Sequence, residues 1–429
     1  MTGVELEIIL KAGKILLSSG AEISRTEDTM NYIARAMNFK DLEAYVSNRG
    51  IFATAKKADG TEITRIYNVP EVDINLSKIE SVNALSRRIT QKNITIEEIE
   101  SELNQIDTMS DYSFFWRLAA YTLGASGFSY AIGSSITDSI IAGIIGLILG
   151  VYMCTIKRIL SSDVLITILG SILIALLGNL FIHFELGSNL SVILLGAMID
   201  IVPGVPFVNA IREYSQNNYN TGITLMMGAL LTCISMAVGV AVVQSLLFNT
   251  QMIPLYTSNL DTNSLTSMFM RSIMAGIGTT AFAILFRVAK QHFIDCTILG
   301  FISWFLFLTL SSLQSNVMLS IFISGFIIAI ASRILAVKRK CPAIVFLMTS
   351  LFPLLPGLSF YRSIYYMLMG QETIAISFAK ESFLIAFTIA ISIVIVKHIK
   401  PPRIKKHTYK YYNPITNSYK LLAQQKRFL

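Results

Sequence analysis

Asp200-Ile201-Val202-Pro203-Gly204-Val205-Pro206-Phe207 interrupts an apolar run that spans roughly residues 189–210. Proline lacks a backbone donor and crowds the preceding turn, so Pro203 and Pro206 together break a helix. The break frees carbonyls on one side and starts a half-helix on the other. A second apolar run, 342–369, carries a matching Pro353, Pro356 and Gly357. Broken helices at corresponding places in the two halves of a chain point to a carrier with its site near mid-membrane.

Working outward from the two breaks, ten apolar stretches can be drawn: 114–132, 139–156, 164–182, 189–210, 221–248, 268–289, 294–311, 317–336, 342–369 and 381–397. Most are near the ~20 residues that a helix needs to cross the hydrocarbon. The loops then set the orientation. Lys157 and Arg158, Arg212, Arg287 and Lys290, and Arg333, Lys338, Arg339 and Lys340 all fall in even-numbered loops. The first, third, fifth and seventh loops hold no Lys or Arg, while the ninth holds Lys380 and, at its edge, Arg362. Positive residues stay on the cytoplasmic side, so both termini are expected there. An even helix count requires the same.

The two membrane halves match each other. Arg117, Gly124 and Phe128 align with Arg271, Gly278 and Phe282. Asp138, Ile141 and Gly143 align with Asp295, Ile298 and Gly300. Pro203, Gly204, Phe207 and Ile211 align with Pro356, Gly357, Phe360 and Ile364. Five helices per repeat is an odd number, so the second copy enters from the opposite face. The expected fold is an all-α polytopic membrane protein. Its ten helices form two inverted five-helix repeats, residues 112–250 and 251–397, with a basic cytoplasmic tail at 398–429.

Composition agrees. The 429 residues are 53% hydrophobic and 14% charged, with mean hydropathy +0.59. A soluble domain is about 25% charged. Residues 1–111 carry a net −5 and residues 112–429 a net +13, so the basic balance belongs to the membrane part and implies lipid rather than nucleic acid. The tail lysines and arginines (Lys397, Lys400, Arg403, Lys405, Lys406) read as a topogenic cluster that touches anionic lipid. Cys154, Cys233, Cys296 and Cys341 form no paired motif, and four scattered histidines suggest no zinc site, so no metal or cofactor is expected. No Walker-type phosphate loop occurs, which excludes an ATP-driven pump of that kind. The first twenty residues lack the apolar core of a signal peptide.

Residues 1–111 read as a small cytoplasmic α+β domain. Helices are expected at 4–18, 21–38, 76–90 and 95–104, and strands at 43–48, 50–56 and 61–67, with Ala58-Asp59-Gly60 as a hairpin turn. Thr95 and Glu98 have capping-box spacing. The polar patch 19–29 places Glu22, Arg25, Glu27 and Asp28 on one helix, where Glu22 can pair with Arg25 and Arg25 with Asp28. It reads as a solvated face, or as a docking surface or small-molecule pocket.

LLSSGAEISRTEDTMNYIARAM (16–37), TRIYNVPEVDINLSKIESVNALSRRI (64–89) and DIVPGVPFVNAIRE (200–213) resemble the threonine/serine exporter family. FPLLPGLSFYRSIY (352–365) resembles that family's separate carboxy-terminal module, here fused. The resemblance implies a ten-helix inner-membrane exporter of small hydroxylated amino acids. Protons would drive it, and a cytoplasmic domain would precede the helices. Two-chain relatives export C4-dicarboxylates, which is the alternative substrate class. A membrane-anchored sensor or enzyme working through residues 1–111 is a further alternative, although no nucleophile–base pair is visible there.

For an amino acid, the half-helix start at Pro203-Gly204 suits the carboxylate, and Asp200 suits the ammonium or the coupling proton. The other reading puts Asp200 at a shallow, wet helix end. Asn209 is a candidate for a substrate hydroxyl. Arg212 reads first as an inner-surface anchor and second as a carboxylate ligand. Pro356 and Gly357 repeat the break, with Arg362 near its outer end. Arg117 and Arg271 begin equivalent helices on opposite faces and are either snorkelling cations or gates.

Overall fold

The computed structural model of the chain describes residues 4–47, 49–57, 60–69, 73–91, 94–156, 158–246, 264–313 and 316–399. Lys157, the Ala58-Asp59 part of the hairpin turn, and the tail residues Lys400, Arg403, Lys405 and Lys406 lie outside the described residues.

The chain opens with α1 (Val4–Ser18) and α2 (Ile23–Ala36). Then come β1 (Phe39–Ser47), β2 (Gly50–Lys57) and β3 (Glu62–Asn68), followed by α3 (Leu76–Thr90) and α4 (Ile96–Asp107). The strands form an antiparallel meander in the order β1-β2-β3, with Ala44 opposite Ala53 and Ala53 opposite Arg65. β1 starts earlier than expected because Phe39 and Leu42 are buried anchors, with an irregular register between Phe39 and Asp41. α1 buries Leu6, Ile9, Leu10, Ile15 and Leu16 completely. At about 1.5–3 kcal/mol per large apolar side chain, this helix holds the layer together. Gly20 turns the chain between α1 and α2 at φ +84, a left-handed value natural to glycine. The Thr95–Glu98 capping box forms as expected.

The remaining helices are α5 (Phe114–Ala131), α6 (Ile136–Ile156), α7 (Asp163–His183), α8 (Leu190–Met198), α9 (Gly204–Ser215) and α10 (Tyr219–Leu246). They continue as α11 (Leu265–Leu285), α12 (Phe293–Leu313), α13 (Val317–Arg339), α14 (Ile344–Ser350), α15 (Gly357–Leu368) and α16 (Glu372–His398). Seven of the described helices are long and apolar enough to cross a membrane. The pair at 344–350 and 352–368, bent by 42°, makes an eighth. α6 shows why. It buries Ile141, Ala142, Ile145 and Leu149, yet turns Ile140, Ile144, Leu147 and Val151 outward. A helix apolar on both faces needs lipid on the outer one. α5 is less apolar because Arg117, Tyr121, Thr122, Ser126, Ser129 and Tyr130 interrupt it. α8 and α9 are separated by residues 199–203.

The packing follows one scheme twice. α5 packs on α6 and α8, as α11 packs on α12 and α14. α7 packs on α6, α8 and α10, as α13 packs on α12, α14 and α16. α9 lies between α10 and α16, and α15 lies between α16 and α10. α5 and α11 pack directly on each other. The helices that carry the residue pairs of the sequence repeat thus have matching packing neighbours.

Candidate functional site

The two breaks meet. A Cβ added at Gly357 would run into Val202 Cγ1 and stand 3.0 Å from Gly204 Cα and 3.2 Å from Gly204 N. A Cβ added at Gly204 would stand 3.2 Å from Leu355 Cβ and 3.6 Å from Gly357 Cα. Glycine is therefore required at 357, where backbone passes backbone. One turn further on, the repeat-related Phe207 and Phe360 stack at 4.3 Å between centroids and 11° between planes. Phe128 and Phe282, also related by the repeat, meet edge-to-face at 5.6 Å. Each break puts a helix start, at Gly204 for α9 and Gly357 for α15, into the crossing. A helix start carries the equivalent of about half a positive charge and unpaired N–H groups.

Asp200 stands beside this crossing, in the turn between α8 and Pro203. Both its carboxylate oxygens are buried, and neither has a hydrogen-bond partner among the described residues. The carboxylate occupies the space left by the missing side chain of Gly124 on α5, with Ala281 of α11 adjacent. The Asp200 carboxylate is not wet in this conformation. An unpaired buried carboxylate costs several kcal/mol, so its place here calls for a ligand or a proton.

The other expected residues separate into groups. Pro206 lies in the first turn of α9, and Asn209 is half-buried on the same helix. Arg212 is buried and does not face the crossing. Its Nη1 lies 3.1 Å from Glu22 Oε1, and its Nη2 lies 3.9 Å from Glu213 Oε1. Lys397 Nζ approaches Glu22 Oε2 at 3.8 Å and donates to Gln216 Oε1 at 3.1 Å. Glu22 thus pairs across the structure, not along its own helix, because Arg212 presents a buried cation that needs an acid. Arg25 instead donates to Asn83 Oδ1 at 3.2 Å. Glu27 accepts from Val46 N, and Asp28 is exposed. Arg362 lies over the Phe378 ring at 5.4 Å. Arg271 donates to Tyr130 O at 3.2 Å and lies over the Tyr130 ring. Neither Arg117 nor Arg271 has an acid at ion-pair distance among the described residues.

Arg212 holds the Glu22 carboxyl below the usual glutamate range, outweighing burial, and Lys397 and Arg25 act in the same direction. A depressed carboxyl stabilises the fold at neutral pH and loses that contribution as pH falls through its folded value. Glu22→Gln is therefore expected to cost about 3 kcal/mol near pH 7, the low end for a buried pair, since the Glu22 side chain remains 19% exposed. Thermal melts of both proteins from pH 7 downward should show the gap closing below about pH 4. A gap that stays constant with pH would remove the ion pair from the explanation.

Two family models divide the chain between them. A threonine/serine exporter model matches residues 7–247, and a second one, threonine/serine exporter ThrE, matches residues 271–399. The chain belongs to the threonine/serine exporter family. No curated protein and no solved structure matches it. It is therefore an integral membrane protein of a transporter family, with both family modules in one polypeptide.

In this exporter the front layer docks on the helix ends, also through contacts outside the 19–29 patch that the sequence offered as a docking surface. Ser77 N donates to Arg287 O at 2.9 Å, and Leu76 N to Phe286 O at 3.0 Å. Arg287 pairs with Asp73 at 2.7 Å and with Asp111 at 2.5 Å. Tyr112 donates to Val288 O, and Arg87 donates to Lys340 O. The docked loops, around 212–218, 286–292 and 340 and at Lys397, are those that the charge rule places together. The signal was Arg287, a cation in a short loop that the sequence treats as a topogenic charge.

Proposed function

We propose that the chain is a secondary active exporter of threonine and serine, driven by counterflow of protons across the cytoplasmic membrane. The single observation that carries the reading is the unpartnered, buried Asp200 carboxylate beside two converging helix starts. Two helix starts favour the substrate carboxylate, and Asp200 takes either the substrate ammonium or the returning proton. Asn209, half-buried on α9, is the candidate partner for the hydroxyl of a small side chain. The doubled packing scheme supports ten spans arranged as two inverted repeats, with α8–α9 and α14–α15 as the two broken ones. It supports alternating access by rocking the halves about the glycine crossing. The buried Asp200 oxygens correspond to a closed step of that cycle.

Docking of residues 4–111 against the positively charged loops supports a cytoplasmic position for the front domain and for both termini. A dicarboxylate substrate would call for several cations at the crossing. Arg212 is already paired with Glu22, and Arg362 lies over Phe378, so the amino acid is favoured.

Purified protein in proteoliposomes with an imposed pH gradient tests this directly. Labelled threonine is expected to move against its gradient, with serine competing and succinate inert. Movement of succinate alone, or threonine flux indifferent to the pH gradient, would overturn the proposal.

A further inference from the structure

Folding brings together three residues that the sequence keeps far apart. Glu80 lies on α3 of the front layer, His292 in the 3-10 turn before α12, and Cys341 just after α13. One ligand atom from each falls within a 4.8 Å cluster. His292 and Cys341 are 2% and 3% exposed. His292 Nε2 lies 3.0 Å from Glu80 Oε1. Gln291 Nε2 lies 3.3 Å from each of these two atoms.

Two further observations point to a ligand. Glu80 Oε2 and His292 Nδ1 are buried without a hydrogen-bond partner, so an ordinary hydrogen-bonded pair leaves half its polar atoms unused. Asp295 Oδ2 stands 3.9 Å from that Nδ1, and Arg339 grips the same carboxylate at 2.7 and 3.0 Å. At that distance no hydrogen bond forms; with a metal on Nε2 the ring would have to close the gap to take the outer-shell arrangement in which a carboxylate orients the imidazole.

We propose that Glu80, His292 and Cys341 form a binding site for a divalent transition metal of the zinc type. Thiolate, imidazole and carboxylate together suit Zn²⁺ and disfavour Mg²⁺ or Ca²⁺, which prefer oxygen alone. Bond lengths of about 2.0–2.3 Å put tetrahedral zinc ligands some 3–4 Å apart, so a small contraction of the cluster closes the site. Three protein ligands leave a fourth position for water. The left-handed turn at Lys340, φ 57, brings the chain round from α13 to Cys341. The metal would tie the front layer both to the start of α12 and to the entry of the α14–α15 broken helix. That is a cross-brace, independent of the transport chemistry.

The test uses the full chain in detergent. Wild-type protein exposed to zinc and dialysed against a weak chelator should retain one equivalent by mass spectrometry. Cys341→Ser and His292→Ala should lose it, and Cys233→Ser, on α10, should keep it. Asp295→Asn should weaken zinc binding by roughly tenfold or more, as loss of an outer-shell partner does. Cobalt substitution of the wild-type protein gives a readout that needs no variant to fold. A thiolate-to-cobalt charge-transfer band with a tetrahedral visible spectrum is expected. Absence of that band, or zinc retention equal in wild type and in the folded Cys341→Ser protein, would overturn the site.

Discussion

Asp200→Asn is expected to cut pH-gradient-driven threonine export severely while leaving the protein folded. The substitution keeps the shape that fits beside Gly124 and removes only the charge. A contact between a charged carboxylate and an ammonium contributes about 1.5–3 kcal/mol, so transport should fall by roughly 10–100-fold. Thermal stability should stay level or rise slightly, because an unpaired buried charge has been removed. Exchange of labelled for unlabelled threonine, with no gradient, separates the two roles. If Asp200 carries only the proton, exchange survives and uphill transport is lost. If it holds the substrate ammonium, both are lost. Wild-type uphill rates with an unchanged pH profile would exclude Asp200 from either role.

Gly357→Ala should be the more damaging of the two glycine substitutions at the crossing. At Gly357 the new methyl faces Gly204 Cα and N, which are backbone and cannot rotate away. At Gly204 its nearest neighbours are Leu355 Cβ at 3.2 Å and Cδ1 at 3.4 Å, so a shift of a few tenths of an ångström relieves it. Overpacking of this kind costs about 1–3 kcal/mol, and the backbone case belongs at the upper end. Gly357→Ala is therefore expected to melt several degrees lower than Gly204→Ala and to transport more slowly even when folded. Differential scanning fluorimetry on both variants checks the order. Equal melting temperatures would mean that the halves do not pass each other at these glycines.

Much of this architecture was legible in the residues, for identifiable reasons. Local chemistry gave the elements. The Thr95 cap and the Pro-Gly breaks each act within a few positions, so each can be read from a short window. The matched Pro203-Gly204 and Pro356-Gly357 also located the two breaks. The contact between them was not legible, because it joins residues more than 150 positions apart. The same holds for Glu22. A pairing with Arg25, three residues away, is the local reading, yet burial of Arg212 gives that cation the stronger claim. Asp200 was legible as a candidate because a carboxylate in an apolar run is expensive. Its lack of a partner depends on Gly124, a residue whose importance lies in what it omits. Glu80, His292 and Cys341 carry no spacing signal at all, since each comes from a different segment.

The front layer docks on one face of a membrane unit whose two halves are packed alike. In a carrier built from equivalent halves, states open to either side would have similar free energies, and the idle protein would be split between them. A domain attached to a single face breaks that balance. Every 1.4 kcal/mol by which its contacts with Arg212, Arg287 and Lys340 differ between the two states shifts their ratio tenfold. On the alternating-access proposal, the docking interface would set the side on which the idle carrier waits.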